Sequence, residues 1–269
     1  MSSSWQQAAQ ADPMKPSIAR VYDYWLGGSH NFVADRELGR RIETLDPWIP
    51  ATARANRDFL GRVVRFLTAE CGIRQFLDIG SGIPTVGNVH EISQQAAPDA
   101  HVVYVDYDPV AVSMSRDLLA SNDHAEIIKA DLRRPDEILA HPVFSSLIDI
   151  TKPTAILFIS ILHFVVDAEE PYKIVARFRD AVTPGSYLVL SHATHDDNPQ
   201  LAAAVNEVYT ARAADGQTRS REEISAFFGN WHMAEPGLVY APVWRPDELA
   251  SISGAPERFW LLAGAARKP

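Results

Sequence analysis

The chain has 269 residues, 46% hydrophobic and 22% charged, a balance that buries a sizeable core and excludes a disordered chain. Its formal net charge of −9, from 25 Lys and Arg against 34 Asp and Glu, disfavours nucleic-acid partners recruited by an overall basic surface. With one cysteine, no leader pattern and no apolar run near the ~20 residues of a membrane span, a cytoplasmic protein without a membrane partner is expected.

Residues 1–15 are rich in Ser, Gln and Ala and read as a flexible start. From Ser17, a plausible N-cap, Ile18, Val21, Tyr22 and Trp25 share a helical face that stops at Gly27-Gly28. A second helix is expected over Asn31–Ile42, and Pro47 and Pro50 punctuate a loop. Ala53–Glu70 is a stronger helix, with Phe59, Val63, Phe66 and Leu67 on one side. Arg54, Arg57, Arg62 and Arg65 fall mostly elsewhere; they read as a solvated face from which one or two can reach an anionic group.

After Gly72 strands and helices alternate. Strands are predicted at Arg74–Ile79, His101–Val105, Glu126–Lys129, Thr154–Leu162 and Ser186–Ser191. Helices fall between them at Thr85–Ala97, Val110–Ala120, Pro135–Leu147 (in pieces) and Tyr172–Ala181. Near-continuous apolar strands of this kind suit a parallel sheet covered by helices on both faces. Helices follow at Pro199–Ala214 and Arg221–Phe228. Leu238–Val243 and Arg258–Ala265 then read as two strands, which should pair antiparallel because no helix separates them. The fold class is α/β.

The site reading centres on Phe76–Thr85, where an apolar run ends at Asp78 and Gly80 and Gly82 follow. A helix beginning near Thr85, with Val86, Val89 and Ile92 at helical spacing, would complete a strand–turn–helix site for a polar ligand. Thr85 stands where a dinucleotide fingerprint has its third glycine, so that match is incomplete. An acidic residue two before the first glycine instead fits S-adenosylmethionine, with the backbone at Gly80, Ser81 and Gly82 passing under its methionine part. Asp106, ending the second strand, follows Gly82 at close to the ~20-residue spacing of a ribose-binding carboxylate. Asp108, just before Pro109, is better placed as a helix N-cap, and Tyr107 between them can lie against the adenine. Asp131 and Leu132 follow the third strand, where a carboxylate and a backbone amide can meet the adenine edge.

The runs LDIGSG, YVDYDP and ADL, in this order and spacing, resemble the class I S-adenosylmethionine-dependent methyltransferases. Adding ARVYDYWLGGSHNFVADRE, ARANRDFL and FLDIGSGIPT, the chain more closely resembles the S-adenosyl methyltransferase family once catalogued only as a domain of unknown function. The resemblance implies a Rossmann-like, seven-stranded, mostly parallel sheet with an antiparallel last strand and helices on both faces. It further implies a helical cap over residues 16–71 and a cofactor domain over 72–269. The implied cofactor is S-adenosyl-L-methionine, with S-adenosyl-L-homocysteine as product. Within the cap, Tyr24, Asn31 and Arg57 combine polar tips with apolar bodies and read as part of a lid over the ligand, as does Tyr22.

Methyl transfer from a sulfonium is an in-line displacement in which positioning is worth ~7–11 kcal/mol of barrier, so no covalent catalyst is needed. Ser160 and His163, after the fourth strand, lie where open α/β sheets place ligands, and His163 is the candidate base. His192, His195, Asp196 and Asp197 lack a helical i, i+4 ligand pair, and no metal is expected. The acceptor is expected to be a small molecule, with a hydroxyl favoured because no Asn-Pro-Pro-Tyr run ends strand four. A regulatory protein that binds the cofactor without turnover is the alternative, and a nicotinamide-dependent oxidoreductase is disfavoured.

Overall fold

The computed structural model describes residues 11–85, 87–247 and 255–269. Most of the expected flexible start, residues 1–10, and Val86 lie outside the described residues.

Five strands form the parallel part of the sheet: β1 (Gln75–Ile79), β2 (His101–Asp106), β3 (Ala125–Lys129), β4 (Ala155–Ile159) and β5 (Tyr187–Ala193). They lie in the order β3-β2-β1-β4-β5, so chain direction across the sheet reverses between β1 and β4. That reversal opens a crevice at the carboxyl ends of β1 and β4, the usual ligand position in this architecture. β8 (Leu261–Arg267) runs antiparallel along the whole of β5. Two pairs of residues, β6 (His232–Met233) and β7 (Val239–Tyr240), pair antiparallel with the other edge of β8. The eight segments therefore occupy seven strand positions. β7 and β8 pair as their adjacency in sequence implied; β6 is too short to leave a periodic signal.

Alternation along the buried strands sends side chains to two cores. Phe76, Val102, Tyr104 and Leu157 face one side, where Phe59, Val63 and Leu67 of α3 (Ile49–Ala69) meet them together with Trp244. Leu77, Ile79, Val105 and Phe158 face the other, against α8 (Pro171–Ala181) and α10 (Arg221–Ala226) through Phe178 and Ile224. Short helices α6 (Pro135–Leu139) and α7 (Pro142–Leu147) complete that layer.

A third core forms the cap. It joins α1 (Ile18–Trp25), α2 (Val33–Leu45), the start of α3 and α9 (Pro199–Thr210) around Val21, Ile42, Ala53 and Val205. Helix α3 begins earlier than the prolines implied, because Pro50 sits in its first turn, where a backbone N–H has no partner to lose. Its Arg62 is buried rather than solvated, and donates to the carbonyls of Trp244 at 2.8 Å and Ala241 at 2.7 Å. Arg65 does reach a carboxylate, that of Asp247, at the exposed surface.

The helix after the glycine turn starts later than predicted. α4 spans Val89–Ala96, and Glu91 turns back to accept from Asn88 N at 2.8 Å and Gly87 N at 3.0 Å. Gly82–Thr85, Gly87 and Asn88 are therefore outside any helix, and the site is not built on a helix N-terminus at Thr85. The next helix, α5 (Pro109–Leu119), starts as expected: Asp108 accepts from Val110 N and Ala111 N.

Candidate active site

The principal cavity lies at the carboxyl ends of β1, β2 and β4 beneath the cap. Its empty space, counted together with the solvent in its open mouth, is about 1400 Å³. Gly80, Ser81 and Gly82 line its floor. Both glycines have positive φ, +71° and +68°, which L side chains adopt at a cost. Their surroundings differ. A Cβ on Gly82 would meet nothing within 4 Å, so the cavity reaches the backbone there. A Cβ on Gly80 would sit 2.4 Å from Cγ1 of Ile161, so its missing side chain makes room for protein rather than for a ligand.

Asp106 organises this floor. Its Oδ2 accepts from Gly82 N at 2.7 Å and its Oδ1 from Asp108 N at 2.8 Å. Burial nonetheless pushes its carboxyl up to about 6, with these amide hydrogen bonds opposing the shift. Asp78 is buried beside it and pushed up to about 7, by desolvation first, with the Arg57 charge pulling it down and the Asp106 charge pushing it up. Arg57 lines the cavity and donates to the carbonyl of Gly87 at 3.0 Å. Tyr107, Leu132 and Ser160 also line the cavity.

Three predicted residues do not line it. Tyr24 packs over Gly39 of α2. Asn31 is tied to the loop it follows, donating to Asp23 Oδ2 at 2.8 Å and to Gly28 O at 2.9 Å. Asp131 turns to Arg133, accepting from its backbone N at 3.0 Å and its Nη1 at 3.2 Å, while neighbouring Ala130 and Leu132 face the cavity. Both cap residues find partners inside the cap, which their amphipathic character allowed equally well.

Tyr22 lines the cavity, within a directed hydrogen-bond chain joining cap to sheet. Ser160 N donates to Ser191 Oγ at 2.9 Å, and Ser191 Oγ donates to Asn56 Oδ1 at 2.6 Å. Asn56 Nδ2 donates to the Tyr22 hydroxyl at 2.9 Å, which donates to Ala53 O at 2.9 Å. Ser160 has φ +52°, a conformation that this chain holds in place. Asn56 lies within the ARANRDFL run, but its role comes from partners far along the chain, Tyr22 and Ser191.

His163 lines the cavity on a short 3₁₀ turn, Leu162–Phe164, that follows β4. Burial, reinforced by the charge of Arg219, lowers its imidazole to about 3, so it is neutral at pH 7. Its Nδ1 is buried without a partner. Arg219, fully buried, holds the turn by donating to the carbonyls of Leu162 at 3.1 Å and Val165 at 2.9 Å and to Asp167 Oδ1 at 2.7 Å. The same guanidinium meets His192 Nε2 at 3.0 Å. Since His192 Nδ1 lies 2.8 Å from the carbonyl of Ala193, Nδ1 carries the proton and Nε2 accepts. The other acidic residues of that run disperse: Asp196 accepts from Arg221 N at 3.0 Å and Asp197 from the Tyr240 hydroxyl. Among the described residues no group of three or more His, Cys, Asp or Glu is placed to hold a metal ion.

With this geometry in view, a family model described as S-adenosyl methyltransferase matches residues 4–269. A proposed methyltransferase from Thermobifida fusca YX, solved by crystallography, is 41% identical, with a TM-score of 0.90 over 95% of this chain and 96% of that one. A DUF574 family protein from Streptomyces avermitilis MA-4680 is 39% identical, with a TM-score of 0.93 over 96% of this chain and 99% of that one. Human N-acetylserotonin methyltransferase, solved with S-adenosylmethionine, shares 14% identity and a TM-score of 0.50 over 98% of this chain and 66% of its own, which speaks for the fold alone. No curated protein matches the chain. Among the described residues no helix is long and apolar enough to cross a membrane.

Proposed function

We propose, for a chain that belongs to the S-adenosyl methyltransferase family, that it transfers methyl from S-adenosylmethionine to a hydroxyl of a small molecule. Methyl transfer itself follows from the family. The carrying observation for the cofactor position is Gly82, whose N–H is held by Asp106 and whose missing Cβ leaves open cavity. Ser81 Oγ, buried without a partner on the same turn, is a polar atom that a ligand would satisfy.

In this reading the backbone of Gly80, Ser81 and Gly82 holds the methionine end, with Asp78 beside it for the ammonium. Asp106, which lines the cavity, is the carboxylate that accepts from the ribose hydroxyls. Tyr107 and Leu132 flank the adenine, while Asp131 is held by Arg133 outside the cavity and reaches the adenine edge only if it leaves that pairing. Arg57 and Ser160 close the side toward the cap.

Bound there, S-adenosylmethionine supplies a methyl on sulfur, and the acceptor oxygen's lone pair takes it as sulfur keeps the bonding electrons. The chain's own contribution is to hold acceptor and donor in line, through the Ser160–Ser191–Asn56–Tyr22 chain and the anchored His163 turn. A hydroxyl acceptor loses its proton in the exchange. A neutral His163 orients that hydroxyl by accepting a hydrogen bond, but an imidazole held near 3 keeps a proton poorly, so the proton passes on to water.

Isothermal calorimetry with S-adenosylmethionine and S-adenosylhomocysteine tests the cofactor reading: one site per chain is expected. No heat and no thermal stabilisation with either ligand overturns it. Asp106→Ala should weaken binding by ~1–3 kcal/mol, since two hydroxyls lose a charged acceptor.

A further inference from the structure

We propose that the part of the cavity under the cap is the acceptor pocket, and that its occupant is an uncharged, flat aromatic small molecule. This rests on the cofactor reading above and specifies the acceptor.

The distribution of charge carries the proposal. Four charged residues line the cavity, Arg57, Asp78, Asp106 and Asp108, and all belong to the glycine-turn end. Asp106 binds Gly82 N, Arg57 donates to Gly87 O and acts on Asp78, and Asp108 caps the helix after β2. The cap end is lined mainly by α1, the start of α3, α9, the turn after β4 and the segment around Trp260, and none of the other described lining residues carries a charge at pH 7, His163 being neutral. An ammonium or carboxylate in this pocket would be buried without a counter-ion, which is costly.

The walls match aromatic ligands. Trp25, Phe164, Tyr209 and Trp260 line this part, and the rings of Phe164 and Tyr209 meet edge to face with centroids 5.1 Å apart. Ring systems pack well in such surroundings, whereas flexible polar chains leave their hydrogen-bonding groups unpaired. Three side chains of this part carry buried polar atoms without partners, Trp25 Nε1, Thr52 Oγ1 and His163 Nδ1. One hydroxyl or carbonyl on an otherwise apolar ring would answer such groups.

The test holds the protein saturated with S-adenosylhomocysteine and follows tryptophan fluorescence and calorimetric heat at pH 7. Three matched probes are titrated: 2-naphthol, 2-naphthoate and protonated 2-naphthylmethylamine. The neutral probe should bind at least about tenfold tighter than either charged one, because only it leaves no charge unpaired. Val205→Trp, which fills the pocket, should abolish probe binding and leave S-adenosylhomocysteine affinity unchanged. Should that variant fold poorly, Thr52→Val supplies the second arm: it keeps shape, loses only an unpartnered hydroxyl, and should weaken 2-naphthol several-fold. Equal or tighter binding of a charged probe, no effect of Thr52→Val, or no probe binding to protein that does bind S-adenosylhomocysteine overturns the acceptor assignment alone. Failure of S-adenosylhomocysteine to bind overturns the cofactor reading, and the proposal with it.

Discussion

Arg20 Nη1 donates to Asp108 Oδ2 at 3.1 Å, joining the first helix of the cap to the residue that starts the helix after β2. The same guanidinium binds Asp35 Oδ2 at 2.9 Å, and Asp35 also accepts from Ser17 N and Phe32 N. All three charged side chains are at least 95% buried. One arginine thus fixes α1 to α2 and both to Asp108, just beyond Asp106 at the end of β2.

Arg20→Met should therefore cost more than an ordinary surface change. It strands two buried carboxylates, and breaking a buried pair typically costs about 3–5 kcal/mol. Denaturant unfolding should register that loss. Because Asp108 N is bonded to Asp106, cofactor affinity should fall with it. An unchanged unfolding midpoint would show that the cap is not held through Arg20.

The buried Asp78 makes a pH prediction with a definite sign. Its carboxyl is raised to about 7 in the folded chain from ~3.9 when unfolded. Between those values the folded state holds a proton that the unfolded state lacks, so this group's contribution falls as pH rises from about 4 to 7. Asp106, raised to about 6, adds the same sign over a narrower range. Asp78→Asn should flatten the fall, by up to ~1.4 kcal/mol per pH unit within the window. Urea midpoints measured from pH 4.5 to 7.5 check it, and parallel profiles for variant and wild type would refute the assignment.

Sequence made some of this legible and hid the rest for physical reasons. The parallel strands, the glycine turn and the Asp108 cap are local events, written in apolar runs, positive-φ glycines and an Asp-Pro start. Arg20, Arg62 and Arg219 are different, because their burial depends on partners far along the chain; Arg62 meets Trp244 and Ala241 across 182 and 179 residues. No helical period distinguishes such an arginine from a solvated one. Pro50 misled for the opposite reason: a proline breaks a helix interior but suits a first turn. Tyr24 and Asn31 fit a lid by chemistry, yet their partners lie within the cap itself.

Arg219 yields a prediction about the His163 turn. Its planar fork reaches two carbonyls, Asp167 and His192 together, which a lysine ammonium does not reproduce. Arg219→Lys should destabilise by about 2–4 kcal/mol through unpaired buried acceptors. Amide exchange should rise most over Leu162–Asp167, the segment those bonds hold. Uniform exchange across the chain would instead mean that Arg219 supports the fold globally and not this turn.

The two turn glycines should separate under mutation. Gly82→Ala places its Cβ into open cavity, so it should cost stability only through φ, about 1–2 kcal/mol. S-adenosylhomocysteine affinity should fall more steeply, because the added methyl occupies the ligand's place. Gly80→Ala drives its Cβ into Ile161 and should destabilise the fold by more than the φ penalty alone. If that contact is the cause, Ile161→Ala combined with Gly80→Ala should be less destabilised than the sum of the single changes, a coupling of about 0.5–3 kcal/mol. Strict additivity in this cycle would remove Ile161 as the reason for the glycine. Equal loss of ligand affinity at both glycines, with equal stability, would return the turn to a uniform ligand cradle.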